Sequence, residues 1–218
     1  MQIKKTIFFF CMITILWIFP FYEKQFAQRV VVIDPAGDAK HTGRRIGDNF
    51  ERGLTLQCAE KIKELIEGRM PHITVIITRM PGDIVYALQN ASLANRMADL
   101  FVNLNFYHTQ ETKPTLSLYQ FSYGSDFASC QQGLVFNTYD QAYRINKMKT
   151  DTIMQVLKKT LSHYQNLFVV CGSYSLPIRP LLGIVPPSIT IEAGLKSKEL
   201  WVSYCEPIAR GIIEVLAE

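Results

Sequence analysis

Short runs of β-branched and other apolar residues alternate along this chain with segments of helical periodicity. The first run, residues 29–34 (RVVVID), ends in an acid that Pro35 follows, which is typical of a buried strand that leads into a loop. Such an alternation predicts an α/β domain with a largely parallel sheet and helices on both faces. The predicted strands are residues 29–34, 73–78, 99–105, 115–123, 167–171 and 187–192, and the predicted helices are residues 50–67, 84–97, 150–164 and 198–217.

The composition agrees with one globular domain. The chain has 218 residues, of which 48% are hydrophobic, so it can bury a sizeable core and is too apolar to be disordered. The formal net charge is only +4, and basic residues form short pairs such as Arg44 and Arg45 rather than a continuous stripe. No repeat, linker or second domain is visible. We therefore expect a single domain that does not bind nucleic acid.

The N-terminus has the pattern of an export signal. Two lysines precede an uncharged apolar stretch at residues 7–22, and the chain then turns polar. The stretch is a little short of the roughly 20 residues that span a bilayer, and Pro20 interrupts its end. We interpret residues 1–27 as a signal peptide or, alternatively, as an uncleaved membrane anchor; a buried core helix fits poorly because no polar face is present. The domain at residues 28–218 is then periplasmic or in the cell envelope and meets the membrane only through the N-terminal segment.

Four cysteines follow the N-terminal segment, at Cys58, Cys130, Cys171 and Cys205. They are far apart, and none belongs to a C-x-x-C motif. The sequence therefore indicates neither a disulfide framework nor a cysteine zinc site. We expect scattered buried thiols.

Three acids stand at the ends of predicted elements. Asp34 and Glu192 end strands, and Glu51 begins the first long helix. Each has a structural interpretation, as a cap of a turn or a partner of a helix N-terminus. In parallel sheets, however, ligands bind beyond the carboxyl ends of the strands, so we expect Asp34, Asn105 and Glu192 to meet at one edge. A carboxylate in a partly desolvated cleft can act as a base or a metal ligand.

Five sequence blocks occur in a recognisable order and spacing. The blocks are VVIDPAG at 31–37, Gly43 with Glu51, Leu54, Leu56 and Ala59, IITR at 76–79 with Asp83, Leu88, Ala94 and Asn95, ADLFVNLN at 98–105, and ITIEAGLKS at 189–197. Together they resemble the zinc-dependent N-acetylmuramoyl-L-alanine amidases, the cell-wall hydrolases of amidase type 3. The resemblance runs from about Val30 to the C-terminus. It implies hydrolysis of the amide bond between the lactyl group of muramic acid and the first alanine of the peptidoglycan stem peptide.

The resemblance also implies a site built around zinc. Two histidines and one glutamate hold the metal, an open position takes water, and a further glutamate acts as general base. Carried onto this sequence, the metal-binding glutamate is Glu51 and the catalytic glutamate is Glu192. The two histidine positions hold Gly37 and Asn105 instead. Glycine has no side chain to donate, and an asparagine carbonyl is a weak zinc ligand compared with imidazole.

Nearby residues offer substitute ligands. Asp38 adjoins Gly37, and His41 and His108 lie a few residues beyond the two lost positions. If both loops curled back, these histidines would rebuild a metal-binding set with Glu51, and the protein would be an active amidase that uses zinc. The leading hypothesis is instead an exported amidase-like protein that has lost zinc catalysis, has no cofactor and acts as a peptidoglycan-binding or regulatory module, with peptidoglycan or an envelope protein as its partner. A different hydrolase chemistry, or a purely structural role, has no nucleophile motif to support it.

Overall fold

The computed structural model describes residues 28–124 and 138–217. The predicted export segment at residues 1–27 and Cys130 lie outside these ranges. Within them, no helix combines the length and the apolar character that crossing a membrane requires. The strands are β1 (Arg29–Pro35), β2 (Arg45–Ile46), β3 (Asn49–Phe50), β4 (Ile73–Ile77), β5 (Leu100–His108), β6 (Thr115–Phe121), β7 (Val169–Leu176) and β8 (Ser188–Leu195). The helices are α1 (Glu51–Arg69), α2 (Ala87–Met97), α3 (Lys147–Ser162) and α4 (Val202–Ala217), with 3-10 turns at Tyr139–Asn146, Arg179–Leu181 and Lys198–Trp201.

Six of the strands form one sheet in the order β4-β1-β5-β8-β6-β7. Neighbouring strands from β4 to β8 are parallel, β6 runs antiparallel to β8, and β7 is parallel to β6. The prediction of a single α/β domain with a largely parallel sheet is confirmed. The expectation that residues 115–123 form an alternating, more exposed strand is confirmed for β6, in which Leu116 and Leu118 are buried and the residues beside them are half-buried. The strands β1, β5 and β8 are buried more completely, and β7 forms the exposed edge.

Helices cover both faces of this sheet, as predicted. On one face, α1, α3 and α4 pack over the larger core, into which α1 turns Leu54, Cys58, Ile62 and Ile66 at helical spacing. On the other face, α2 and the 3-10 turns cover a smaller core around Val32 and Phe101. Fully burying one such apolar side chain contributes about 1.5–3 kcal/mol, so these two cores hold the strand ends in fixed positions.

The larger core also brings two cysteines together. The Sγ atoms of Cys58 in α1 and Cys205 in α4 lie 3.3 Å apart, and both residues are buried. Cys171 is exposed on β7. The expectation of buried thiols is therefore confirmed for Cys58 and Cys205, although these two lie in contact and are not scattered, and it is wrong for Cys171. The two helices pack side by side, and this places residues 147 positions apart in contact.

Candidate functional site

The sheet face that carries α2 changes from apolar to polar toward the carboxyl ends of its parallel strands. Side chains on a strand alternate between the two faces, so Asp34 follows Val32 on this face. In β5 and β8, the residues in register with Asp34 are Asn103 and Thr190. All three are buried, and together they form a polar row across the sheet directly beyond the apolar core.

Asp34 is the acidic member of this row. Its Oδ1 accepts hydrogen bonds from Thr78 Oγ1 at 2.7 Å and Asn90 Nδ2 at 2.8 Å, and its Oδ2 accepts one from Asn103 Nδ2 at 3.0 Å. Burial raises the pKa of Asp34 above its usual range, although these donors favour the ionised form and oppose the shift. The carboxyl group is thus held by three side chains at the floor of the site.

Asn105 lies one step further along the same face of β5. Its Nδ2 donates to Asn103 Oδ1 at 2.6 Å, and that oxygen also accepts from Thr190 Oγ1 at 3.2 Å. In the neighbouring strand, the residue in register with Asn105 is Glu192. The topology therefore brings Asp34, Asn105 and Glu192 to one edge of the sheet, where the sequence places them.

Glu51 begins α1 and is only 4% exposed. Its Oε1 accepts a hydrogen bond from the Phe106 amide at 2.8 Å, and its Oε2 accepts one from the Arg44 amide at 3.0 Å. A negative charge at a helix N-terminus is also favoured by the helix dipole. The loop before α1 lies close to this carboxylate, since a Cβ atom on Gly43 would be 2.8 Å from Glu51 Oε2. Both carboxylate oxygens of Glu51 are thus engaged by peptide N–H groups.

Gly37 has a left-handed backbone with φ of +79°. A Cβ atom built on it would lie 2.7 Å from Arg52 Cβ and 3.0 Å from Arg52 Cα, at the first turn of α1. The buried Arg79 guanidinium ties this loop to the helix, since it donates to the carbonyls of Pro35, Ala36 and Arg52. Position 37 therefore combines a conformation that L side chains rarely adopt with no room for a side chain.

Glu192 lies beside Asn105, and both of its oxygens accept hydrogen bonds. Arg44 Nη1 donates to Oε1 at 2.6 Å, and the Tyr119 hydroxyl donates to Oε2 at 3.0 Å. Burial alone would lower the pKa of Arg44, but its hydrogen bond and charge interaction with Glu192 outweigh burial, and the pKa is raised. Arg44 thus remains a cation beside Glu192 at any physiological pH.

The substitute ligands predicted from the sequence do not assemble with Glu51 into a metal-binding set. The Asp38 carboxylate is buried and accepts hydrogen bonds from the amides of Val85, Lys40 and His41; these bonds, that from Val85 above all, hold its pKa below the usual range. The His41 ring is 70% exposed, with Nδ1 3.3 Å from Asp38 Oδ2.

His108 points away from Asn105. It lies three positions further along β5 and therefore on the opposite face of the strand. Among residues 28–124 and 138–217, no three His, Cys, Asp or Glu side chains are placed to hold a metal ion together. The two positions that the resemblance assigns to zinc-binding histidines do not suit zinc either: Gly37 has no side-chain donor atom, and the Asn105 carbonyl oxygen is a weak zinc ligand compared with imidazole.

A cleft of about 570 Å³ opens over this edge of the sheet. Most of the residues predicted for the site line it, whereas Glu192 and His108 are not among its lining residues. Its walls combine carboxylates, side-chain amides, exposed basic groups and an apolar side, a mixture suited to a polar ligand with some apolar surface. The lining residues include Asp34, Gly37, Asp38, Lys40, His41, Glu51, Tyr86, Asn90, Asn103, Asn105 and Arg179.

The sequence does not identify three residues as members of the site. Arg44 reaches Glu192 across 148 positions of the chain, and Tyr119 reaches it across 73. Asn103 is part of a recognisable block, but its contacts with Asp34 depend on the register of β1 and β5. Because these contacts arise from pairing between distant strands, only the three-dimensional structure reveals them.

No protein-family model matches this sequence, and no curated protein matches it significantly. The fold is similar to that of solved amidases. The N-acetylmuramoyl-L-alanine amidase AmiC2 of Nostoc punctiforme superimposes with a TM-score of 0.66 at 18% identity, over 88% of this chain and 98% of that one. The N-acetylmuramoyl-L-alanine amidase from Clostridium difficile 630 gives 0.65 at 18% identity, over 88% and 96%. The CwlD amidase from Clostridioides difficile, solved in complex with the GerS lipoprotein, gives 0.58 at 18% identity, over 87% and 97%. At these identities the likeness shows a shared fold.

Proposed function

We propose that this chain is an exported cell-envelope protein that has the amidase fold, has lost zinc catalysis and binds peptidoglycan in its cleft. The observation that carries this proposal is the state of positions 37 and 105. Gly37 has neither a side-chain donor nor space for one, and Asn105 offers only an amide oxygen, which is a weak zinc ligand, while its Nδ2 donates to Asn103 Oδ1. A single carboxylate, Glu51, is the one ligand of the implied zinc set that remains, and its oxygens already accept two peptide N–H groups.

The cleft itself supports a binding role. It keeps the position that ligands take in α/β sheets, beyond the carboxyl ends of β1 and β5. Asn90 and Asn105 present side-chain amides along it, Lys40 and Arg179 are exposed cations at its margin, and Tyr86 adds an exposed aromatic ring. A peptidoglycan stem peptide carries amide and carboxylate groups that match these side chains.

Two further functions remain as alternatives. Glu51 and Glu192 are both present at the edge of the sheet, and this favours an active amidase with rearranged ligands; such an enzyme would bind zinc and release stem peptides. A partner protein of the envelope is a second kind of ligand for the cleft. The CwlD amidase, which shares the fold, is solved with a lipoprotein.

The binding role predicts that the purified full chain cosediments with purified sacculi and that Tyr86→Ala weakens this binding. Tyr86 lines the cleft and is 58% exposed, so its loss removes ligand contacts with little effect on the core. Tyrosine is enriched among the contact residues whose truncation costs more than about 1 kcal/mol of binding free energy, so we expect a loss of roughly fivefold in affinity.

Tyr123→Ala is the matched control, because Tyr123 is 55% exposed and lies outside the cleft lining. Its variant should bind as the wild type does. Equal loss in both variants, or no cosedimentation of the wild type, would overturn the proposed binding role.

A further inference from the structure

Two carboxylates lie beside adjacent residues of β5 at the edge of the sheet. Glu192 is in register with Asn105, and Glu51 accepts a hydrogen bond from the amide of the next residue, Phe106. The Glu192 side chain is 22% exposed and Glu51 is buried. Like charges in a partly desolvated site repel each other, and a cation that interacts with both carboxylates, as Arg44 does, offsets that repulsion.

Arg44 is in contact with both carboxylates. Its backbone amide donates to Glu51 Oε2 at 3.0 Å, and its guanidinium donates to Glu192 Oε1 at 2.6 Å. The guanidinium also lies 5.9 Å from the centre of the Tyr107 ring, a cation–π distance. One residue therefore links the two acids, through its main chain on one side and its charge on the other.

The local backbone favours this placement. Gly43, immediately before Arg44, has φ of +74°, and a Cβ atom there would lie 2.8 Å from both Cβ and Oε2 of Glu51. The absence of a side chain at position 43 lets the loop lie directly against the Glu51 carboxylate. The Tyr119 hydroxyl fixes the other oxygen of Glu192, which keeps that carboxylate turned toward Arg44.

We propose that Arg44 is the built-in cation of this site and supplies to Glu51 and Glu192 a positive charge at a place where residues 28–124 and 138–217 assemble no set of metal ligands. A guanidinium group cannot lose its proton in a protein, so the compensation is permanent and needs no bound ion. This inference goes beyond the proposed function and does not depend on peptidoglycan binding.

Chemical rescue of the full-chain Arg44→Ala variant tests the inference. The Arg44 side chain is 53% exposed, so its ion pair is of the modest surface kind, and its loss should lower the melting temperature by about 2–4 °C. Millimolar guanidinium chloride should restore at least half of that loss. The same concentration of urea, a neutral molecule of the same shape, should restore none.

Arg45→Ala is the control, since Arg45 is also exposed and donates to the Gly47 carbonyl instead of to an acid. It should show no response specific to guanidinium. If Arg44→Ala does not fold, Arg44→Gln is compared in the same way, because it keeps the length of the chain while removing the charge. Equal effects of guanidinium and urea overturn the inference. Rescue without sacculus binding would overturn the proposed function alone, and binding without rescue would overturn this inference alone.

Discussion

Gly37→Ala is expected to lower the free energy of unfolding by about 2–5 kcal/mol. Two effects contribute. An L side chain at φ of +79° costs roughly 1–2 kcal/mol, and the added Cβ would lie 2.7 Å from Arg52 Cβ, which forces an overpacking shift of about 1–3 kcal/mol. Arg79 binds both the loop and the helix, so the two cannot separate easily. Urea denaturation followed by circular dichroism measures the change.

Two other glycines separate these effects. Gly47 has φ of +62° with no neighbour within 4 Å, so Gly47→Ala should show only the conformational cost of about 1 kcal/mol. Gly53 is helical and open, so Gly53→Ala should stabilise the protein by about 0.5–1 kcal/mol. If Gly37→Ala costs no more than Gly47→Ala, position 37 has room for a side chain. A histidine could then be restored there by a single substitution, which would contradict the claim that position 37 has no space for a zinc ligand.

Glu51→Gln is expected to lower the free energy of unfolding by about 2–3 kcal/mol, equally with and without a metal chelator. The amide group has one acceptor oxygen, so its NH₂ must face either the Phe106 amide or the Arg44 amide. A buried donor without an acceptor costs about 1–3 kcal/mol, and the lost charge at the start of α1 adds a few tenths or more.

Glu60→Gln provides the control, because Glu60 is an exposed acid on the same helix and its substitution should change stability by less than about 0.5 kcal/mol. Measurements with and without the chelator distinguish a Glu51 carboxylate held by peptide N–H groups from one that binds a metal ion. Where peptide N–H groups hold the carboxylate, the chelator leaves the wild type unchanged. A chelator that destabilises the wild type as much as Glu51→Gln does would show that a metal holds Glu51.

The sequence predicts the scaffold of this site better than its contacts. The run RVVVID identifies β1 and places Asp34 at its end, and the topology of α/β sheets then brings Asp34 and Glu192 to one edge. The sequence shows that Gly37 has no side-chain donor. It does not show the left-handed backbone of this residue or its close contact with Arg52.

Contacts between distant segments are the part that the sequence does not specify. The pairing of Arg44 with Glu192 and of Cys58 with Cys205 depends on which elements pack together. The orientation of His108 depends on the alternation of side chains along β5, whose extent is longer than the predicted strand. Sequence proximity to Asn105 is therefore a poor guide to what can reach the site.

The amidase fold and the chemistry of its site are separable in this chain. The backbone superimposes on amidases over most of its length at 18% identity, while the two decisive positions carry glycine and asparagine. Fold resemblance alone does not assign an activity, which depends on the side chains at the site. A cleft that keeps its place in the sheet can retain binding after the metal ligands are gone.

The zinc content of the purified full chain tests the central claim most directly. The protein is equilibrated with excess zinc, dialysed, and analysed for metal and for release of stem peptides from sacculi. We predict zinc far below one ion per chain and no released peptide. One zinc ion per chain together with released stem peptides would contradict the claim.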